Sequence, residues 1–496
     1  MTTESQNSRF RYRIFTMVVL LALINYIDRG AMSYAAAHIT GEYGLDRGAW
    51  GSVLGYFGYG YMVGALFGGM LADRYGPRKV WIVAGVAWSV FEIATAWAGD
   101  FGLAFLGGSA LAGFATIRIL FGAAEGPAYS IINKTIANWA TTRERGFVVG
   151  FGLLSTPLGA LLTAPVAVGL LTLTDSWRAM FFILGGAGLL VLVFFMRIFT
   201  DRPETNPGVS PQELAEIQSS RAQSASGAQG ADAPVLPWWS FFRSKTLVLN
   251  TLGYFAFMYV NFLLLTWTPK YLQDNFGYSL SSLWYMGMIP WTGACITVLL
   301  GGRISDLLFK RTGSLKIARS WFAAACLLAT TLCFLLVSQA QSVFAVIALM
   351  TLANALNALP NSVYWAVVID TAPSNRVGTF SGLMHFFANI ASILAPTLTG
   401  YLTARHGYSV MFIAASVATA VGMVAMLQVR PGVGPRMPAR PAQPSGASHD
   451  PTQPDFPAAC RRTRILPGAP HRRLAAGHGQ RQPDRRGSGA PRRRRH

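Results

Sequence analysis

Twelve apolar runs, each long enough to cross a bilayer, restrict this chain to a polytopic helical membrane fold. They fall at roughly 14–36, 50–72, 80–98, 103–131, 146–170, 178–198, 246–269, 283–302, 317–338, 342–370, 376–402 and 408–428. A helix needs about 20 apolar residues to span the hydrocarbon core. Only 12% of residues are charged against 52% hydrophobic, a balance outside the soluble range. No strand-length alternation competes with these runs, so an outer-membrane barrel is a poor alternative. The first run is too long for the apolar region of a cleaved signal and is expected to remain as the first span.

Bases lie unevenly between the runs. One set of connections carries Arg9, Arg11 and Arg13, then Arg74, Arg78 and Lys79, then Arg143 and Arg145, Arg243 and Lys245, and finally Lys310, Arg311, Lys316 and Arg319. The opposite set holds Arg47, Arg178, Lys270 and Arg405. Basic loops stay inside, so both termini are expected in the cytoplasm, and an even number of spans requires the same.

Among the charges that fall in the apolar runs, four sit together well inside two of them: Asp28 and Arg29 in the first, Arg118 and Glu125 in the fourth. A charge at mid-membrane costs about 2.5–3.5 kcal/mol on the gentlest insertion scale, so a pairing or functional role is expected for each. A substrate carboxylate calls for the planar fork of Arg29 or Arg118. Asp28 and Glu125 suit proton carriage, because an arginine that binds either a carboxylate or the substrate makes the two events competitive. The competing reading is that these acids only neutralise arginines and hold spans one and four together. Helical rise places Asp28 about 21 Å and Arg118 about 20 Å above the cytosolic side, hence level, with Glu125 about 10 Å nearer the cytosol. Gly126-Pro127 should loosen the helix there. Glu92 in the third run is expected to face water near the outer interface, with an additional titrating site as the alternative reading.

The chain repeats itself once. Gly69-Met-Leu-Ala-Asp73-Arg74-Tyr-Gly76-Pro-Arg78-Lys79 is answered by Gly302-Arg-Ile-Ser-Asp306, 233 residues on. The same offset carries Pro127 to Pro360, Asp28 to Asn261, and Glu125 to Ala358. Two six-span halves, 1–198 and 246–429, should therefore enclose a mid-membrane site. Proton chemistry is expected in the first half and neutral contacts in the second. Tyr26 and Tyr61 offer hydroxyls, and Asn261, Asn354, Asn357, Asn361 and Asn389 offer amides. Asn354, Asn357 and Asn361 are spaced by three and four and are expected to share one helix face.

The segment 69–79 resembles the cytosolic signature G-x-x-x-D-R-x-G-x-R-K of the major facilitator superfamily at every defined position. Asn25-Tyr-Ile-Asp28-Arg29, together with Arg118 and Glu125-Gly126-Pro127, is similar to the anion:cation symporter family, which includes hexuronate, galactonate and glucarate carriers and, distantly, sialin and vesicular glutamate transporters. The resemblance covers about residues 1–428. It implies an all-α fold of twelve transmembrane helices in two pseudo-symmetric bundles and an inner-membrane, multi-pass location in a bacterium. It further implies proton-coupled import of a small organic anion such as a sugar acid, by a functional monomer without cofactor, metal or nucleic acid. Gly69, Asp73, Arg74, Gly76, Arg78, Lys79 and Asp306 would form the cytosolic gate motif. Aromatic or dicarboxylic acids remain alternative substrates, as do an antiport exporter and a non-transporting sensor. Gly152-Leu-Leu-Ser-Thr-Pro157 departs from the Gly-Pro-x-x-Gly-Gly element of antiporters, and the paired charges argue against a sensor.

Residues 199–245 are expected to tether the halves, with QELAEIQ as a short cytosolic helix. The tail, 430–496, holds fifteen arginines, no lysine and three acids, so it supplies +12 of the net +20. Its composition predicts disorder. A strip attracted to anionic lipid and an unselected extension are the two readings, and the absence of lysine favours the second. Cys295, Cys326, Cys333 and Cys460 show no metal or redox spacing and are expected to pack as small apolar residues. His38, His385 and His406 are scattered, and no nucleophile–base pair or phosphate loop appears, so an enzyme is not expected.

Overall fold

The computed structural model describes residues 9–226, 236–373 and 376–433, in which every regular element is a helix. The tail beyond 433, Cys460 and the low-complexity part of the inter-half segment lie outside the described residues. Twelve membrane-crossing units follow in order. They are α1 (Phe10–Tyr34), α2 (Arg47–Tyr75), α3 (Pro77–Thr95), the broken pair α4 (Ala110–Glu125) and α5 (Ala128–Trp139), α6 (Thr142–Thr174) and α7 (Trp177–Ile198) in the first half. After α8 (Pro211–Ser226) come α9 (Lys245–Phe276), α10 (Ile289–Thr312), α11 (Phe322–Gln339), the broken pair α12 (Val343–Ala358) and α13 (Asn361–Thr371), α14 (Val377–Ala388) with α15 (Ala391–His406), and α16 (Ser409–Gln428).

Nine stretches among the described residues are long and apolar enough to cross a membrane, and a tenth is counted if α3 joins Ala98–Phe105 across a 75° bend. The two that fall short are α2 and the α4–α5 pair. The fourth unit also starts later than its apolar run suggests. Gly107 and Gly108, at φ 68° and 73°, turn the chain in the left-handed region and set Ala98–Phe105 apart.

The internal repeat is visible as geometry. Gly126-Pro127 separates α4 from α5, and Leu359-Pro360 separates α12 from α13, because proline cannot donate to the preceding turn. At the first break Gly68 of α2 lies against Pro127, and at the second Gly301 of α10, 233 residues on, lies against Leu359. The break also corrects the expectation of one asparagine face. Asn354 and Asn357 sit on α12, whereas Asn361 starts α13 beyond the turn.

Backbone contact between α2 and α4 positions the charges. A Cβ on Gly122 would lie 2.1 Å from the Phe57 carbonyl, and one on Gly60 would lie 1.8 Å from that of Ile119. Small residues let membrane helices approach to this distance, and here they bring Phe57 and Tyr61 level with Arg118 and Glu125. Gly122→Leu is therefore expected to force the helices apart and lose at least about 2 kcal/mol of stability, in the range of overpacked or strained core sites. A lowered melting temperature of the detergent-solubilised protein would record it.

The halves meet at the end of the bundle opposite the termini. Gly51 of α2 faces Gly400 of α15, where an added Cβ would come within 2.8 Å of the Gly400 Cα. Arg47 reaches across to Asp274 (3.5 Å) and to the Thr403 carbonyl (3.4 Å), while the Tyr408 hydroxyl donates to Asp274 at 2.6 Å.

At the terminal end, α8, which contains the QELAEIQ stretch, docks on the first half. The backbone amides of Phe10 and Arg11 donate to the Glu213 carboxylate at 2.9 and 3.0 Å. The Arg11 guanidinium bridges Glu144 (2.7 Å) and Glu216 (2.9 Å). Burial works against the Glu144 charge, but hydrogen bonds from Arg11 and Tyr12 outweigh it and hold this carboxyl below its usual range. The repeated signature ties helix ends at the same level. Asp73 pairs with Lys134 at 2.6 Å, and Arg78 donates to the Met196 carbonyl at 2.8 Å. Gly76, at φ 84°, leaves room for Asp201, which accepts from the Arg78 amide at 2.6 Å. Asp306 pairs with Arg319 at 3.1 Å, and Arg319 also reaches Asp370 at 3.3 Å. Gly69 packs beside Ser130, Arg74 lies over Tyr75, and Lys79 is exposed.

Candidate functional site

A cavity of about 580 Å³ lies between the halves. It runs from Leu265 and Trp291 down to Ile136, Ile369 and Gly378 near the terminal end. With the opposite end shut by α2 and α15, its access is from the side of the termini.

Arg29 is the charged residue that this cavity wall presents. α1 carries it at mid-bundle, and its Nη2 donates to Glu125 Oε2 (3.0 Å) and Asn25 Oδ1 (3.1 Å). Its guanidinium carbon also lies 4.6 Å from the ring centres of Phe57 and Tyr61 and 4.8 Å from that of Tyr26. Cation–π contact with desolvated rings compensates in part for the lost hydration. Glu125 is wholly buried, and its second oxygen, Oε1, has no partner.

Behind this pair lies a second group of charges. Arg118 is 2% exposed, rests 5.2 Å from the rings of both Phe57 and Phe121, and leaves Nε and Nη1 without acceptors. Glu92 interacts with Arg118 and Glu125, and Asp28 with Glu92 and Glu125. Glu92 is 0% exposed. It does not face outer water as expected, because α3 turns it toward Arg118 and Glu125 of α4, and both its carboxylate oxygens lack hydrogen-bond partners; Asp28 has the Trp88 indole beside it.

The second half supplies the facing wall. Tyr254, Trp365 and His385 cluster with ring centres 5.7–6.0 Å apart, and Tyr129 from the first half approaches His385 at 6.1 Å. Asn361 Oδ1, Ser362 Oγ, Trp365 Nε1 and His385 Nε2 line this region without partners.

The structure thus divides the residues singled out from sequence. Tyr26, Arg29, Tyr61, Asn261 and Asn389 line the cavity, whereas Asp28, Arg118, Glu125 and Asn357 do not. Asn357 donates to the Phe257 carbonyl at 3.2 Å, joining α12 to α9, and Asn354 donates to that of Pro290 at 3.0 Å. Asn261 and Asn389 donate to carbonyls one turn back, at 3.0 and 2.7 Å, so their oxygens remain for other partners. Tyr129, Tyr254, Ser362, Trp365 and His385 were not anticipated. A signal existed for two groups: Ser381, His385 and Asn389 are spaced by four, as are Asn361 and Trp365, a spacing that puts polar and aromatic groups on one helix face.

The sequence profile described as Major Facilitator Superfamily matches residues 18–315 and 312–467. The chain is 30% identical to the hexuronate transporter of Bacillus subtilis over 86% of its length and 96% of that protein. It is 32% identical to a probable sulfoacetate transporter of Cupriavidus necator, over 86% and 95%. A D-galactonate transporter of Escherichia coli is 26% identical over 84% and 95%. Among solved structures, a bacterial homologue of the lysosomal transporter Spinster, inward-facing and unoccupied, superposes with a TM-score of 0.65 at 17% identity, covering 84% of this chain and 97% of that one. The D-xylose-proton symporter gives 0.64 at 18%, covering 85% and 98%. These two likenesses bear on the fold alone.

Proposed function

The chain belongs to the Major Facilitator Superfamily, and on that premise we propose that it imports a sugar acid together with protons by alternating access. The observation that carries this reading is the cavity itself. A single forked cation, Arg29, stands in the first-half wall, and unpartnered polar atoms of Asn361, Ser362, Trp365 and His385 stand in the second. A monocarboxylate with hydroxyls along its chain satisfies both walls: its carboxylate on Arg29, its hydroxyls on the second half. Buried polar groups left without partners are costly, so a ligand that pairs them gains discrimination over one that does not. The relatives named for hexuronate and galactonate transport agree with that chemistry.

Proton coupling follows from competition. Glu125 and the substrate carboxylate both require Arg29 Nη2 and Nε. When the substrate takes the guanidinium, Glu125 is left buried without a counter-charge and takes a proton; when the substrate leaves, Glu125 gives up the proton and re-engages Arg29. Arg118 acts as the fixed cation of the cluster, behind the wall. Tyr26 and Tyr61 frame the Arg29 fork, and Asn261 and Asn389 offer amide oxygens to substrate hydroxyls. The arginine-rich terminal end faces the cytoplasm, so the cavity is open inward. The ties at Asp73, Arg78 and Asp306 hold helix ends as the halves rock.

Uptake into proteoliposomes under an imposed pH gradient tests the proposal. Labelled glucuronate or galactonate is expected to accumulate when the outside is acid, and a hydroxyl-free acid such as hexanoate is expected to compete poorly. Preference for benzoate or for a short dicarboxylate over every sugar acid would overturn the substrate reading, and gradient-independent equilibration would overturn the coupling.

A further inference from the structure

We infer that the segment Trp238–Lys245, which leads into α9, is a binding site for an anionic phospholipid of the cytosolic leaflet. Its rings lie at the headgroup boundary, and Arg243 and Lys245 hold the phosphate. Trp238, Trp239 and Phe242 are 56, 41 and 47% exposed, and the Trp238 and Phe242 rings lie 6.3 Å apart. The three rings stand outside every membrane-crossing helix, so passage through the hydrocarbon does not account for them. Amphipathic rings such as indole favour the membrane–water boundary.

The backbone of this segment satisfies itself. The amides of Ser240, Phe241, Phe242 and Ser244 each donate to the carbonyl three residues back, at 3.0–3.2 Å, and the Ser240 hydroxyl donates to the Pro237 carbonyl at 2.7 Å. Lipid tolerates backbone only where its polar groups are paired in this way. Two ring contacts hold the segment against α14. Phe241, 1% exposed, meets Phe380 edge-on at 5.6 Å, and Phe242 meets Phe387 at 5.4 Å. Gly378, Ser381, Gly382 and His385 put another side of α14 on the cavity. The helix therefore stands between the two sites, and an occupant of the outer one braces a cavity-lining element from its lipid side.

Level and charge choose the lipid. Lys245 opens α9 at the terminal end, and Thr246 donates to the Arg430 carbonyl at 3.2 Å, just beyond α16. On the orientation taken above, this is the depth of the cytosolic headgroups. The stretch 236–245 contains no acid, and both Arg243 and Lys245 are exposed. The Arg243 guanidinium carbon lies 4.3 Å from the Trp239 ring centre, a contact that orients its flat fork for a phosphate. A zwitterionic headgroup carries its own ammonium beside the phosphate, whereas an anionic one leaves its charge to these two bases.

Photocrosslinking tests the site in the full-length protein, reconstituted in an equal mixture of phosphatidylglycerol and phosphatidylcholine. Benzoylphenylalanine replaces Trp238, and mass spectrometry identifies the adducts. Lipid adducts are expected, with phosphatidylglycerol in excess. A base near an anionic surface contributes about fivefold, so Arg243→Gln combined with Lys245→Gln is expected to lower the ratio of the two lipids by about 5- to 25-fold while total lipid adduct persists. The arginine-rich tail is present in both proteins, so its own attraction for anionic lipid cancels. Both substituted side chains are exposed, and the ratio is internal to each sample, so a lower yield of the variant leaves the reading intact. Adducts to the protein chain in place of lipid, a native protein without preference, or a ratio unchanged by the two substitutions would each overturn the inference.

Discussion

Glu125→Gln is expected to lower driven accumulation by at least about tenfold per pH unit, the contribution of one coupled proton. Glutamine keeps the shape of the protonated acid but cannot exchange the proton, and it cannot compete as an anion for Arg29. A second consequence distinguishes coupling from mere damage: the substrate Kd of the variant should lose the pH dependence that this competition for Arg29 imposes. In the native protein, raising the pH ionises Glu125, which then occludes Arg29 and weakens binding. In Glu125→Gln no such competitor exists at any pH. Counterflow exchange, which needs no net proton movement, should continue. Unchanged pH-driven accumulation would show that Glu125 only braces α1 against α4.

Arg29→Lys is expected to raise the substrate Kd by about 10- to 100-fold, equivalent to losing a charge-assisted hydrogen bond of about 1.5–3 kcal/mol. The charge is retained, so membrane insertion should survive. Geometry is what is lost. Arg29 presently divides its donors between Glu125 and Asn25 while three rings support its flat face, and an ammonium cannot reproduce that fork. Arg118→Lys is the instructive contrast. Arg118 does not line the cavity, so the substitution should alter Kd far less than Arg29→Lys does. Equal losses of affinity in the two variants would place both arginines on the substrate and contradict the division of roles drawn here. Isothermal titration of the purified variants measures both.

Several parts of this architecture are legible in the sequence alone. The apolar runs mark the helical units, and the offset from Asp73 to Asp306 marks the repeat. Both prolines, Pro127 and Pro360, sit where a helix breaks. These features depend on local chemistry: transfer free energy sums residue by residue, and proline removes a backbone bond wherever it stands. The charges at 28, 29, 118 and 125 were conspicuous for the same reason, because each is anomalous in its own window.

Partnership was not legible. Arg29 and Glu125 are neighbours although 96 residues separate them, whereas Asp28, adjacent to Arg29 in the chain, is buried without an ion pair to it. Each residue turns a helix by about 100°, so consecutive side chains face different helices, and which one they meet depends on how those helices are rotated and how closely they pack. Glu92 read as an outer-surface acid for that reason: its window records depth along the helix and not azimuth. The approach of α2 to α4 through Gly60 and Gly122 decides the azimuth of the charged cluster. His385 and Trp365 join Tyr129 in the same way, across halves that share no local signal.

What the sequence by itself determined is thus the one-dimensional content of the protein: the number of spans, their order, their breaks, the two-fold repeat and the identity of the charges that cross the membrane. Only the tertiary structure decided which charges pair, which face the cavity and which end is open. The access side rests on cross-half contacts such as Arg47 with Asp274 and Gly51 with Gly400, whose strength depends on distances between elements hundreds of residues apart. No window of sequence contains those distances.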